Sequence, residues 1–119
     1  MLKEPVEQIM EIAELSGFKI YDEIEYKRVF NYQFLHGQIE FLEYEEKTIG
    51  LLGWLTVLDG KDINVCINNL FVLEQYRDKF NIFDMCKFFK EKYPNINKLE
   101  WHNQKKDKFR QLILKGRKI

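Results

Sequence analysis

Leu70-Phe71-Val72-Leu73-Glu74-Gln75-Tyr76-Arg77-Asp78-Lys79-Phe80-Asn81-Ile82 is the stretch whose reading decides the fold. Its first residues end a strand candidate spanning 63–73, rich in Val, Ile, Leu and Phe, in which the adjacent Asn68 and Asn69 predict a bulge or a strand end. Its last residue opens a run (Ile82, Phe83, Met85, Cys86, Phe88, Phe89) that reads as a buried helix to about residue 93, stopped by Pro94. A short strand at 98–101 follows. A strand running straight into a helix and then into a second strand predicts a right-handed crossover that leaves the two strands parallel.

Outward from this unit, residues 39–44 and 48–57 are strand-like and joined through Glu45, Glu46 and Lys47 as a hairpin, and Asp59-Gly60 marks the turn into the long strand. Two helices precede them. The first starts at Pro5, shows one apolar face (Val6, Ile9, Met10, Ala13) and ends at Gly17. The second starts at a capping box, Asp22 as cap with Glu25 reaching back, and runs to about Leu35 before Gly37. Residues 103–119 leave two readings open, a helix through Phe109, Leu112 and Ile113 or a last strand at 110–114. This order predicts an α+β fold in a single domain, 1–119.

The chain of 119 residues is 45% hydrophobic and 15% aromatic with only six Gly and two Pro, which excludes disorder and collagen-like repeats. Nineteen basic residues balance nineteen acidic ones, but residues 98–119 hold eight bases against two acids while residues 1–46 hold eleven acids against four bases. A basic end of this kind is a solvated face or an anion-binding one. No apolar run approaches a membrane span, and Glu4, Glu7, Glu11 and Glu14 are unlike a secretory signal, so a cytoplasmic location without membrane association is expected. Cys66 and Cys86 form no C-x-x-C pair, which predicts two buried thiols and no metal site.

The deciding stretch resembles the GNAT superfamily of N-acetyltransferases, whose strand and helix start read roughly L-x-V-x-P-x-Y-R-G-K-G-x-G. Leu70, Val72, Tyr76, Arg77 and Lys79 fall at matching places, Ile49-Gly50-Leu51-Leu52-Gly53-Trp54 is similar to the preceding strand, and Leu99-Glu100-Trp101-His102-Asn103 to the following one. The resemblance covers about residues 38–110. It implies a GNAT-like three-layer fold, with hairpin strands and one strand-helix-strand crossover, truncated at the C-terminus. By the same resemblance the activity is acetyl transfer from acetyl-CoA to an amine, and Leu70, Val72, Arg77, Lys79 and Asn81 hold the coenzyme. Small members of this outline occur in Gram-positive bacteria and their phages, which implies a possible phage origin.

The departures point to a degenerate coenzyme loop. Asp78, Phe80 and Ile82 stand where the family has glycines, which let the main chain approach a pyrophosphate. The family's proton-donating Tyr falls on Arg110, which cannot donate near neutral pH, and its Ala on Lys106, so no catalytic residue is assigned. The alternative is a non-catalytic, phage-encoded interaction protein that binds a protein or nucleic-acid partner through Lys105, Lys106, Lys108 and Arg110. Those same bases could also contact coenzyme A.

Elsewhere the residues favour structural roles. His36 beside Gly37 reads as a helix C-cap, His102 with Cys66 and Glu100 as a weak base-nucleophile candidate, and Glu40, Glu43, Glu45 and Glu46 as a charged sheet edge. Tyr26, Tyr32 and Phe34 read as core.

Overall fold

The computed structural model describes residues 4–103 and 107–117. Along the chain run α1 (Pro5–Leu15), α2 (Glu23–Leu35), β1 (Ile39–Tyr44), β2 (Lys47–Asp59), β3 (Asp62–Val72), a 3-10 helix (Glu74–Lys79), α3 (Ile82–Lys92), β4 (Ile96–Asn103) and β5 (Lys108–Ile113). The strands form one sheet in the order β1-β2-β3-β4-β5. β1 and β2 are antiparallel, and β3 and β4 are parallel from Ile63↔Ile96 to Ile67↔Trp101, with α3 between them in sequence. The crossover expected from the sequence is therefore present. Of the two readings open at 103–119, the described residues show the strand: β5 runs antiparallel to β4 from Lys98↔Ile113 to Asn103↔Lys108.

Internal contacts group the chain into two compact units, residues up to Gly53 with Asn69–Phe80, and Trp54–Asn68 with Asn81 onward. In the first, α1 and α2 bury Ile9, Met10, Ile12, Ala13 and Phe30 with Ile39, Leu51 and Phe71 from the strands. Phe18 bridges them, with its ring centroid 5.5 Å from Tyr26 and 5.0 Å from Phe71. Gly50 of β2 belongs to this unit, and a Cβ there would stand 2.1 Å from the Phe71 carbonyl oxygen, so only glycine allows the backbone approach. The pairing of these strands continues past β3, where Leu73 N–H donates to the Ile49 carbonyl at 2.8 Å.

In the second unit Trp54 is fully buried between edge-on contacts with Phe88 and Phe89 of α3, and its Nε1–H donates to the Tyr93 hydroxyl at 2.9 Å. That bond satisfies the one polar atom of a ring whose burial contributes about 2–3 kcal/mol of apolar stabilisation. Val65, Ile67, Met85, Ile96, Leu99 and Leu114 are buried in the same unit.

Three local expectations are corrected. β3 does not run straight into α3, because the 3-10 helix intervenes and both Phe80 and Asn81 are extended. Only half of the capping box forms: Asp22 Oδ1 accepts from Glu25 N–H at 3.0 Å, but the Glu25 carboxylate takes Arg28 at 2.6 Å instead of reaching back. Cys86 is buried as expected, whereas Cys66 is only half-buried, since the face of β3 that carries it also carries the polar Asn64.

Candidate functional site: the segment after β3 and the basic outer strand

In the first unit, Val72 is buried at the end of β3 and Leu70 is partly exposed. The 3-10 helix then folds Arg77 back. Arg77 Nη2 donates to the Ser16 carbonyl at 2.9 Å and Nε to the Val72 carbonyl at 3.4 Å. Ser16 caps the C-terminus of α1, where carbonyls lack partners and the helix dipole is negative, so a guanidinium is well suited to it. Lys79 lies 3.8 Å from the Asp78 carboxylate, with Nζ 5.5 Å above the Tyr44 ring. Phe80 N–H donates to the Arg77 carbonyl at 3.4 Å.

In the second unit Asn81 is the N-cap of α3, its Oδ1 accepting from Phe83 N–H at 2.7 Å. Of the five residues expected to hold a coenzyme, Val72 and Arg77 are brought together, Lys79 sits with Asp78, and Asn81 caps a helix. No local pattern signals the role of Arg77, because its partner Ser16 is 61 positions away.

On the outer strand, Lys108, Phe109, Arg110 and Gln111 are all exposed. Lys105 and Lys106 lie outside the described residues. The register pairs Arg110 with Trp101 and Phe109 with His102, which puts the members of each pair on the same face. His102 joins neither Cys66 nor Glu100: its Nε2 lies 3.0 Å from Asp107 Oδ1, and its ring lies beside Phe109, with centroids 5.0 Å apart. Glu100 is paired with Lys98 at 3.0 Å.

Neither cysteine is poised for attack. Burial pushes both thiols up, that of Cys66 further by the Glu100 carboxylate, that of Cys86 with partial opposition from Arg117. His36 is the C-cap of α2, its Nδ1 2.8 Å from the Tyr32 carbonyl and its ring stacked on Tyr32 at 4.0 Å. Glu40, Glu43, Glu45 and Glu46 are exposed on the edge strand β1 and its turn. Among the described residues no group of three or more His, Cys, Asp or Glu could hold a metal ion, and no helix is long and apolar enough to cross a membrane.

No protein-family model and no curated protein sequence matches the chain. Solved structures do. A predicted acetyltransferase from Clostridium acetobutylicum, determined with acetyl-CoA, superposes with a TM-score of 0.57 at 14% identity, over 88% of this chain and 80% of its own. The NatB acetyltransferase complex bound to CoA and MES gives 0.58 at 11% identity, over 84% and 69%. An acetyltransferase from Thermus thermophilus gives 0.53 at 14% identity, over 83% and 70%. The fold is that of the GNAT acetyltransferases, as the resemblance implied.

Proposed function

We propose that this chain is a GNAT-fold protein that acts by binding an acidic macromolecule, with the segment that the resemblance assigns to coenzyme binding turned into a brace of the fold. The observation that carries this reading is Arg77, whose guanidinium ties the end of β3 to the capped end of α1. A bound pyrophosphate needs open backbone N–H donors and main chain free of Cβ atoms. Here the N–H of Phe80 is directed to Arg77, that of Phe83 to the Asn81 side chain, and Asp78 adds an exposed carboxylate. The residues present do not fit the coenzyme. Nor does the position that the resemblance gives to a proton-donating tyrosine supply one, since exposed Arg110 stands there.

The experiment is a thermal melt with millimolar acetyl-CoA. A ligand at a hundred times its Kd stabilises by about 2.7 kcal/mol, which raises Tm by several degrees in a domain of this size. The expected result is no shift, with Arg77→Ala lowering Tm to the same extent whether or not acetyl-CoA is present. The second reading is acetyl transfer to an amine, favoured by the acetyl-CoA and CoA in two of the neighbours. A clear upward shift in the unmodified protein would replace the first reading with it.

A further inference from the structure

We propose that the outer strand β5 is a binding site for single-stranded nucleic acid, with Phe109 and His102 as the platform for bases and Lys108 and Arg110 as the contacts to phosphate. The proposal deepens the reading above, on which it rests for the nature of the partner. It starts from charge. The two compact units divide a neutral chain unequally: the first holds thirteen acidic and seven basic residues, a net of −6, and the second six acidic and twelve basic, a net of +6. An anionic partner is therefore drawn to the second unit.

Several bases of that unit are engaged internally. Lys115 pairs with Asp62 at 2.7 Å, Lys98 with Glu100 at 3.0 Å, Lys90 donates to the Arg117 carbonyl, and Lys92 lies 5.7 Å above the Trp54 ring. Lys108 and Arg110 are exposed and make no ion pair among the described residues. They flank Phe109, which is 79% exposed and whose ring rests beside the imidazole of His102. A large apolar ring left in water on a strand, backed by a second flat ring, is a stacking surface that contributes nothing to burial. The carboxylates close to it are engaged, Asp107 with His102 and Glu100 with Lys98.

β5 is an edge of the sheet, so side chains from its two faces flank the same open border. A strand of nucleic acid laid along that border places phosphates near Lys108 and Arg110 and turns bases onto Phe109. Single-stranded nucleic acid offers unpaired bases with open faces, which a duplex does not, and a peptide of acidic residues alone has no aromatic face to stack on the rings.

The test is fluorescence polarisation of a labelled oligothymidylate of about 15 nucleotides, with a duplex of equal length and polyglutamate as competitors. Binding is expected at about 50 mM salt, weakening with a log-log slope near −0.7 per phosphate neutralised. Phe109→Ala should weaken it about tenfold, and Lys108→Glu with Arg110→Glu should make the slope shallower by about 1.4. Because Phe109 and both bases are exposed, a melt of each variant should match that of the unmodified protein. Absence of binding at low salt, a duplex held as tightly, an unaffected Phe109→Ala, or equal displacement by polyglutamate each overturns the proposal, the last in favour of an acidic protein. Failure here with no acetyl-CoA shift removes the nucleic acid alone, whereas an acetyl-CoA shift removes the reading beneath it.

Discussion

Gly50 and Arg77 act through the same place, the end of β3, by opposite means. One keeps matter out of it and the other fills it with hydrogen bonds. Gly50→Ala sets a methyl against the Phe71 carbonyl, which is backbone and cannot swing aside, so a loss of about 3 kcal/mol is expected in chemical denaturation. A change below about 0.5 kcal/mol would show that β2 and β3 can separate at this point without cost. The cysteines give a pH test. With both thiols pushed above their ordinary value of 9.0, the folded state favours the protonated form. Their contribution is complete below pH 9.0 and is lost as pH rises from there through the higher folded value, so alkaline melts should begin to fall near pH 9.0 and fall less in Cys86→Ala. Labelling by a disulfide reagent near neutral pH should be slow, and faster at half-buried Cys66 than at Cys86.

Among the elements, those with a local signal were legible in the sequence. Pro5 and Gly17 bound α1, Asp22 caps α2, and the strand-like runs before and after Glu45-Glu46 become the β1–β2 hairpin. The turn itself was less so, for Glu45 and Glu46 both adopt positive φ, 48° and 66°, where Asn and Gly are the usual residues. In α2 two of the three aromatic residues expected in the core, Tyr32 and Phe34, were misjudged. Tyr26, Phe30 and Gln33 follow one another at four and three positions and face inward, while Tyr32 and Phe34 step off that face and are exposed. The buried member that apolarity could not reveal is Gln33, 1% exposed, whose Oε1 accepts from Asn69 at 3.3 Å. β5 stayed undecided because Phe109, Leu112 and Ile113 satisfy either period, and the register with β4 decides between them. The candidate site was legible as a set of residues, not as an arrangement: whether a basic side chain reaches solvent or a carbonyl dozens of positions away depends on the tertiary fold.

At the scale of the molecule, the unequal division of charge bears on how copies of the chain treat one another. A protein with no net charge at neutral pH has no long-range repulsion to keep it dispersed, and the oppositely charged surfaces of different copies attract. Added salt shortens the reach of that attraction, to about 8 Å at physiological ionic strength. The protein should therefore salt in: concentrated samples near neutral pH are expected to turn cloudy on dialysis into water and to clear on return to about 0.15 M salt. Light scattering that stays flat across that range would mean the charges are too evenly spread over each surface to act as patches. The same property would make ionic strength, more than pH, the setting that governs recovery and storage of the pure protein.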